Sequence, residues 1–366
     1  MWGLPVRVLI AGGGTGGHLM PALALAYAIK DLRPDVEPVL VGARRGIEAT
    51  VLPRHPFRHH LLPLEPLYRR AWWRNLRWPF LLVPLFRAVG RLLAIERPAV
   101  VVGTGGYAAG PVVWCAQRAG IPTALQDQNA LPGIATRSLA RRARQVHLGF
   151  PEARRHLRTG ANTEVYDFGN PIQPPQPGDR AARLAALGLD PMRRTVLVFG
   201  GSQGALALNR VVADALERGH LADVNVLWGT GEAHLGHLQR LAVSGRVVIR
   251  GFFDPMAVAY GAADLVVARA GAMTVAELCA WGKPSVLVPL PTAAADHQTA
   301  NAQALADAGA AVLVPERELR AELLGTVISD LIRSPGRLET LARSARRRGR
   351  PTAAREVVSK ILTLIQ

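Results

Sequence analysis

The sequence is poor in cysteine and in long apolar runs. Its 366 residues include two cysteines, Cys115 and Cys279, which lie far apart in apolar segments. This placement suits buried thiols in a reducing compartment better than a disulfide framework. No run of about 18 uncharged apolar residues occurs, so no membrane-spanning helix is predicted. Zinc-ligand spacing, Asp-x-Asp pairs and RNA-binding signatures are also missing, so we expect neither a metal nor a nucleic-acid partner.

Lysine is scarce as well, because it occurs only at Lys30, Lys283 and Lys360. The formal net charge is nevertheless +17, so nearly all of the positive charge is arginine. Hydrophobic residues make up 49% and charged residues 19%, which is typical of a folded globular chain. The basic surface is either an ordinary solvated surface or, with nucleic acid disfavoured, one that binds an anionic lipid or a phosphorylated substrate.

Three glycine-rich clusters each follow an apolar, strand-like run. They occupy residues 12–17, 103–106 and 200–204. Glycine lets the backbone turn tightly and brings amide groups close to a ligand, often at the positive end of a helix. Because the clusters are divided between the two halves of the chain, they predict two nucleotide-binding domains facing each other across a cleft.

Apolar runs alternate with helix-like segments in both halves of the chain. The predicted strands are 6–11, 36–41, 99–102, 123–125, 195–199, 224–227, 247–249, 265–267 and 285–288. A helix is predicted at 19–32, a Pro- and Gly-rich linker at 170–178, and a C-terminal helix from about 351 that crosses back onto the first domain. Continuous apolar strands between helices are typical of parallel sheets covered on both faces. The predicted fold class is therefore α/β, with two Rossmann-like, doubly wound parallel-sheet domains.

The first glycine cluster also fits a dinucleotide-binding motif. Gly12, Gly14 and Gly17 stand in Gly-x-Gly-x-x-Gly spacing between a strand and a helix. The acidic residue expected after the second strand is missing, and Arg44 and Arg45 stand there instead. Because an arginine pair can accept the phosphate of NADP, an NADP-dependent reductase stays open as an alternative. It leaves the other two glycine clusters unexplained.

Two side chains in the first half are candidates for a general base. His18 follows the first cluster at a helix start, and imidazole titrates near neutrality. Asp127 lies on a strand-end loop, where it can take the proton itself or orient the histidine. Asn129 offers a donor and an acceptor for a sugar. The sequence does not decide between His18 and Asp127.

The second half carries polar and small residues at its own strand ends. Ser202, Gln203 and Gly204 are expected to present amides and a hydroxyl to a diphosphate at a helix start. Small residues at 270–276 let a nucleotide lie against the backbone, and Glu277 can bind both ribose hydroxyls. Further expected contributors are Arg269, which can meet the charge of a diphosphate, and His297 and Gln298 at another strand end.

The segment from Trp72 to Phe86 mixes tryptophan and phenylalanine with arginine. A buried core helix is one interpretation of this pattern. Tryptophan and arginine together are typical of an interfacial segment on an anionic membrane surface, and the basic net charge favours this second interpretation.

These motifs together resemble the MurG glycosyltransferase family. The resemblance rests on residues 13–18, 105–107, 128–129, 169–171, 200–204 and 271–277, in the same order along nearly the whole chain. It implies the two-domain GT-B fold, with an acceptor- and membrane-binding domain at 1–168, a UDP-GlcNAc-binding domain at 169–349, and a helix at about 350–366 packing back on the first domain. The implied activity, which needs no cofactor, is inverting transfer of N-acetylglucosamine from UDP-GlcNAc to the C4 hydroxyl of the muramyl sugar of lipid I, giving lipid II. The implied place is the cytoplasmic face of the bacterial inner membrane.

The resemblance also implies individual substrate contacts. Thr15, Gly16 and Gly17 would lie near the donor diphosphate and sugar, with His18 as the leading base candidate. The other implied substrate-binding residues are Tyr107, Asn129, Ser202, Gln203, Gly204, Phe253, Ala272, Met273, Thr274, Glu277, His297 and Gln298. Among these, the backbone near Phe253 is implied for the uracil, Glu277 for the ribose and Gln298 for sugar hydroxyls.

The chain departs from the family pattern at two positions. Asp127 stands where the family often has glutamate, and the shorter aspartate side chain has less reach as a base. Gln173 stands where an arginine is expected. Two further alternatives stay open. They are a related GT-B enzyme acting on another lipid and a non-catalytic membrane-surface protein.

Overall fold

The computed structural model describes residues 5–64, 78–201 and 204–365, and for 78–81 it describes the backbone only. The chain divides into two compact units. The first comprises Met1–Gln173 and Pro351–Gln366, and the second comprises Pro174–Arg350. None of the described helices combines the length and the apolar character needed to cross a bilayer.

The described strands of the first unit form one seven-stranded sheet. They are β1 (Val6–Ala11), β2 (Val36–Ala43), β3 (Arg58–Leu62), β4 (Val100–Gly103), β5 (Thr123–Asp127), β6 (Gln145–Leu148) and β7 (Glu164–Tyr166). Their order is β3-β2-β1-β4-β5-β6-β7, and every neighbouring pair is parallel.

The described strands of the second unit form a six-stranded sheet. They are β8 (Thr195–Phe199), β9 (Asn225–Gly229), β10 (Val247–Arg250), β11 (Leu265–Ala268), β12 (Ser285–Leu287) and β13 (Val312–Leu313). Their order is β10-β9-β8-β11-β12-β13, again with every neighbouring pair parallel.

Helices connect the strands, because parallel neighbours need a crossover. The α-helices are α1 (Gly16–Leu32), α2 (Glu48–Val51), α3 (Trp78–Glu96), α4 (Gly106–Arg118), α5 (Ile134–Leu139), α6 (Arg180–Ala186), α7 (Leu206–Glu217), α8 (Glu232–Leu238), α9 (Met256–Ala262), α10 (Ala272–Trp281), α11 (His297–Asp307), α12 (Ala321–Ile332), α13 (Pro335–Arg348) and α14 (Ala353–Leu362). Short 3₁₀ helices occupy Leu52–Arg54, Ala140–Arg142, Pro151–His156, Gln239–Leu241, Ala294–Asp296 and Glu316–Glu318.

The core of the first unit lies on both faces of its sheet. Val8 and Ile10 of β1 pack on the side that carries α1, while Leu9 packs on the other side with residues of α4. The C-terminal helix α14 joins the first of these layers, because Val357 and Ile361 are fully buried there. Burial on both faces explains why the central strands appear as continuous apolar runs rather than alternating ones.

The predicted strands are all present, with ends displaced by at most two residues. Two doubly wound parallel sheets are therefore confirmed. The strands that sequence patterns did not predict are β3, β6, β7 and β13, of which β3, β7 and β13 lie at sheet edges. Edge strands need little apolar surface, and β3 begins Arg-His-His, so a search for apolar runs passes over them. Helix α1 also begins three residues earlier than expected, at Gly16.

The order of the strands reverses between β1 and β4 in the first sheet, and between β8 and β11 in the second. In doubly wound sheets, ligands bind outside the carboxyl ends of the strands at such a switch point. The clusters 12–17 and 103–106 follow β1 and β4, and the cluster 200–204 follows β8. The strongest sequence signals therefore lie at the two switch points.

Candidate functional site

At the first switch point, two glycine loops pack directly against each other. Gly106 has a φ of +76°, and a Cβ atom there would overlap the carbonyl oxygen of Gly13. Gly14 has a φ of +95°, and a Cβ atom there would overlap the ring of Tyr107. The positive φ and the close contacts both require glycine at these two positions. Glycine therefore allows the two loops to approach each other this closely.

His18 occupies the first turn of α1, between the two loops. Its Nδ1 lies 3.1 Å from the hydroxyl of Thr15, and its carbonyl oxygen accepts a hydrogen bond of 2.8 Å from the Thr104 hydroxyl. The imidazole lies over Gly105, where a Cβ atom would come within 2.7 Å of Cδ2 and 3.2 Å of Nε2. The absence of a side chain at 105 therefore makes the space that the ring occupies.

Asp127 ends strand β5 and is buried, with 4% of its surface exposed. Its Oδ1 accepts a hydrogen bond from the amide of Asn129 at 3.2 Å, and its Oδ2 accepts one from the amide of Gly133 at 3.0 Å. Both carboxylate oxygens thus hold the loop that leads into α5. This arrangement suits a structural acceptor better than a base, and it favours His18 in the choice that the sequence leaves open.

A buried polar network lies beneath this loop, and sequence patterns gave no sign of it. Gln128 donates to the carbonyl of Thr104 at 2.8 Å and also to the side chain of Gln126. Gln126 donates to Asn170 Oδ1 at 3.0 Å, and Asn170 donates to the carbonyl of Gln128 at 2.9 Å. The network connects the second glycine loop, the end of β5 and the start of the predicted linker.

Glu48, the first residue of α2, is a second feature that the sequence did not reveal. It is fully buried, and its Oε1 accepts a hydrogen bond from the amide of Gly14. A Cβ atom at Gly13 or Gly46 would overlap its carboxylate. Glu48 therefore packs against the first glycine loop and holds its Gly14 amide. A glutamate in a short helix carries no pattern that would have identified it.

Gly16 and Gly17 differ from the other glycines of the first cluster. A Cβ atom at Gly16 would meet no atom within 4 Å, and one at Gly17 would meet only the Thr15 hydroxyl, at 3.7 Å. Neither has a positive φ. The described protein atoms therefore do not require glycine at these two positions, and the surface above them is open.

At the second switch point, β11 leads into the N-terminus of α10. Gly271 is the N-cap residue, and Ala272, Met273 and Thr274 form the first turn. The amides of a first turn have no partner within their own helix and carry partial positive charge. The first turn contains no acidic residue, so an anion can approach it. This is the geometry expected for a phosphate site.

The third glycine cluster follows β8 at the same edge. Gly204 has a φ of +75°, and a Cβ atom there would overlap the carbonyl oxygen of Thr230. Ser202 and Gln203, which were predicted to contact the diphosphate, lie outside the described residues. Their roles stay predictions.

Glu277 lies in the second turn of α10 and pairs with a residue of α9. Its Oε2 accepts a hydrogen bond of 2.7 Å from the hydroxyl of Tyr260. Burial raises the pKa of Glu277, and the Tyr260 hydrogen bond opposes that rise. Burial also raises the pKa of Tyr260 well above its usual range, and the neighbouring Glu277 carboxylate adds to the rise. Sequence patterns identified Glu277 but not its partner.

Arg269 was expected to meet diphosphate charge, and in the structure its guanidinium has partners within the protein. Its guanidinium donates to the carbonyls of Val288 at 3.2 Å and Pro289 at 3.1 Å, and it forms an ion pair with Glu316. It is 6% exposed. Its charge is therefore paired within the protein, and its contacts hold the segment that follows β12. The expected contact with a diphosphate stays a prediction.

Gln298, His297 and Phe253 complete the predicted donor residues. Gln298 Oε1 accepts a hydrogen bond of 3.0 Å from the amide of Leu290, which leaves its Nε2 with no partner among the described residues. The His297 Nδ1 lies 2.5 Å from the carbonyl of Ala294. Phe253 follows β10 and is buried, and the Arg250 guanidinium lies 5.6 Å from the centre of its ring. The donor candidates from 204 to 298 thus all lie in the second unit.

Comparisons with known proteins agree with this geometry. The glycosyltransferase family 28 N-terminal domain matches residues 8–148, and the family 28 C-terminal domain matches residues 195–357. A relative from Anaeromyxobacter dehalogenans (strain 2CP-C) is 42% identical over 375 residues, covering 99% of this chain and 94% of the relative. One from Chlorobaculum tepidum is 42% identical over 364 residues, covering 98% and 99%.

Both relatives are named UDP-N-acetylglucosamine–N-acetylmuramyl-(pentapeptide) pyrophosphoryl-undecaprenol N-acetylglucosamine transferase. Among solved structures, Acinetobacter baumannii MurG is similar, with a TM-score of 0.77 and 29% identity, covering 98% of this chain and 100% of that chain. The predicted resemblance is thereby confirmed, and the NADP-dependent reductase loses its support.

Proposed function

Because the chain belongs to the MurG members of glycosyltransferase family 28, we propose that it converts lipid I to lipid II in peptidoglycan synthesis. It transfers N-acetylglucosamine from UDP-GlcNAc to the C4 hydroxyl of the muramyl sugar on undecaprenyl diphosphate. The observation that carries the proposal is the similarity to the named transferases over 99% of the chain. The positions of the predicted residues at two switch points support it.

The proposed reaction is a single displacement with inversion at the anomeric carbon. His18 Nε2 takes the proton of the acceptor hydroxyl while that oxygen attacks C1 of the donor sugar. The bond from C1 to the diphosphate oxygen breaks, and UDP leaves with the electron pair. A base of this kind contributes about 10²–10⁴-fold to the rate. The Thr15 contact at Nδ1 and the space over Gly105 hold the ring for this role.

The donor binds to the second unit through backbone and side chain in different places. The first-turn amides of α10 face the phosphates and meet the charge that develops on the leaving diphosphate. Glu277 Oε1 has no partner among the described residues, so it is available to the ribose hydroxyls. The Gln298 Nε2 donates to the donor sugar.

The first glycine cluster is also proposed to contact the donor. Thr15, Gly16 and Gly17 lie near the diphosphate and sugar, in line with the open surface above Gly16 and Gly17. Glycine at these positions then serves the ligand, which approaches the backbone where a side chain would block it. Asn129 and Tyr107 complete this group of contacts.

The assay that tests the function follows radiolabel from the nucleotide sugar into a lipid I analogue. We expect labelled lipid II from UDP-GlcNAc and at least tenfold less product from UDP-glucose. Equal transfer from both donors would indicate a related GT-B enzyme. No product with either donor, together with no protection of the protein against heat by UDP, would reject the proposal.

We propose that an exposed aromatic patch on α3 and α4 contacts the membrane that carries the lipid substrate. Residues 72–77 of the predicted membrane segment lie outside the described residues, but its last part is visible. Phe86 contacts the Trp114 ring at 5.0 Å between centroids, and Val83 and Trp114 are 51% and 40% exposed. The Arg118 guanidinium lies 5.1 Å from the Trp114 ring. Exposed aromatic surface beside arginine is typical of binding to anionic lipid.

We propose that the enzyme binds the bacterial membrane peripherally through this patch, and that it does so at the cytoplasmic face. Sedimentation with vesicles of phosphatidylglycerol tests this placement. Trp114→Ser is expected to lower binding several-fold while leaving transfer to a soluble lipid I analogue unchanged. Met192→Ser is the matched control, because Met192 is 90% exposed in the second unit. Equal binding of both variants would reject the patch.

A further inference from the structure

Tyr260 and Glu277 form a pair in which only one carboxylate oxygen is used. The Tyr260 hydroxyl donates to Oε2 at 2.7 Å, while Oε1 has no partner among the described residues. Tyr260 is 2% exposed and Glu277 is partly exposed. The tyrosine thus reaches the carboxylate from inside the protein and leaves its other oxygen toward the surface.

The Tyr260 ring is held in place by aromatic neighbours. It meets the Phe199 ring edge-on at 6.1 Å and the Trp281 ring at 5.8 Å. The Arg183 guanidinium lies 5.5 Å from the centre of the Trp281 ring. Phe199 is the last residue of β8, directly before the third glycine cluster. The hydroxyl is therefore anchored to the same sheet edge that carries the donor site.

We propose that Tyr260 is a positioning residue for the ribose of the donor nucleotide. Its hydroxyl fixes Glu277 Oε2, so that the carboxylate keeps one rotamer and directs Oε1 to the 2′ and 3′ hydroxyls. This rests on the proposed function, in which Glu277 binds the ribose. Tyr260 acts through Glu277 and does not touch the substrate.

The Tyr260 hydroxyl also favours the ionised form of the Glu277 carboxylate. Burial raises the pKa of Glu277, and the Tyr260 hydrogen bond is the effect that lowers it. The helices packed against α10 carry other charged or titratable groups. The charge of Arg348 of α13 lowers the pKa of the Cys279 thiol, and His297 is the first residue of α11. Arg346 of α13 lies against Gly282. Since an ionised carboxylate accepts from both ribose hydroxyls, the Tyr260 hydroxyl also favours the binding form.

Tyr260→Phe removes the hydroxyl and keeps the ring. Calorimetry would compare UDP with 2′-deoxy-UDP on the wild type and the variant. We expect the wild type to bind UDP about tenfold more tightly than 2′-deoxy-UDP, as for a hydrogen bond to a charged group. In the variant, UDP affinity should fall about tenfold, and the preference for UDP over 2′-deoxy-UDP should fall to about twofold. The KM for UDP-GlcNAc should rise about tenfold, with kcat within twofold.

The pH dependence gives a readout that a packing defect would not produce. Binding needs the ionised carboxylate, so affinity is lost as the pH falls through the pKa of Glu277. Loss of the Tyr260 hydroxyl raises that pKa, so the loss of affinity should begin at a higher pH in the variant. Tyr166→Phe is the matched control. Tyr166 also donates to a glutamate, Glu164, at 2.8 Å, but in the first unit, and its loss should change neither affinity nor pH profile.

A double-mutant cycle with Glu277→Gln tests whether Tyr260 acts through Glu277. In the Glu277→Gln background, Tyr260→Phe should cost less than twofold in UDP affinity. An equal cost in both backgrounds would overturn the inference, even if the variant were less stable. So would an unchanged preference for UDP over 2′-deoxy-UDP. Failure of the wild type to bind either ligand would instead reject the proposed function.

Discussion

The two switch points of this protein differ in the groups that form them. In the first unit, glycine loops meet backbone to backbone, and His18 is seated over Gly105. In the second unit, a helix N-terminus and a buried tyrosine–carboxylate pair lie at the same kind of edge. Both sheets are parallel and doubly wound, so the fold alone does not account for the difference.

The difference matches the role that we propose for each edge. A base must stand within hydrogen-bond reach of the atom it deprotonates, so its backbone has to be fixed closely. A nucleotide site needs donors that face the phosphates and an acceptor for the ribose, and the α10 N-terminus and Glu277 Oε1 are the groups proposed for these contacts. The comparison therefore predicts that changes at His18 and at the glycines that seat it reduce turnover, whereas changes at Glu277 reduce affinity.

The largest expected effect is that of His18→Ala. Loss of the base should lower kcat about 10²–10⁴-fold, while UDP affinity stays within about twofold because the donor contacts of the second unit are intact. Steady-state transfer to a lipid I analogue and calorimetry with UDP measure the two quantities. His156→Ala is the control, since His156 is exposed in the same unit. Wild-type turnover in the His18 variant would remove this residue from the mechanism.

The next prediction compares two glycines that have nearly the same φ, Gly106 at +76° and Gly120 at +74°. An alanine at either position costs about 1–2 kcal/mol for the left-handed backbone. At Gly106 it would also overlap the Gly13 carbonyl, whereas at Gly120 it would meet nothing within 4 Å. We expect a further loss of about 1–3 kcal/mol in unfolding free energy at Gly106.

Turnover separates these glycines more clearly than stability does. A Cβ atom at Gly106 would lie 3.2 Å from His18 Nδ1, so Gly106→Ala should displace the ring and lower kcat at least tenfold. Gly120→Ala should leave kcat unchanged. Denaturant unfolding and the transfer assay measure the two effects. Equal turnover in both variants would mean that the contact between the loops does not position the base.

Glu277→Gln sharpens the comparison from the other side. A neutral amide replaces a charged acceptor, so UDP affinity should fall about tenfold at neutral pH, with kcat nearly unchanged. The wild type should lose affinity as the pH falls through the raised pKa of Glu277, because only the ionised form accepts from both ribose hydroxyls. The variant should lack this loss. The ratio of the two affinities at each pH cancels the titration of UDP itself.

The sequence predicted the strands that line the two switch points because these strands are buried on both faces and are apolar throughout. It also located His18 and Glu277, since each follows a small-residue loop at a strand end. It did not predict Glu48, Gln126 or Tyr260. Their partners are distant in the sequence, as with Glu48 and Gly14 or Tyr260 and Glu277, and no local spacing records such a pair.

Arg269 shows the limit of a sequence-based expectation in another way. An arginine after a strand was expected to meet a diphosphate, but its guanidinium is engaged by Val288, Pro289 and Glu316. A positive charge near a phosphate site is informative only when its counter-ion is known. That counter-ion lies 47 residues further along the chain, where the sequence offers no reason to look.

The smallest expected effect is that of Asp127→Asn, and it decides the role that the sequence left open. Asparagine keeps an oxygen that can accept one of the two amides, from Asn129 or Gly133, and loses the other acceptor. If Asp127 only holds this loop, kcat should fall less than about tenfold and stability by about 1–2 kcal/mol. Loss of turnover as large as that of His18→Ala would make Asp127 part of the proton transfer. The contrast between the two edges would then rest on a pair of residues at the first, rather than on a single base.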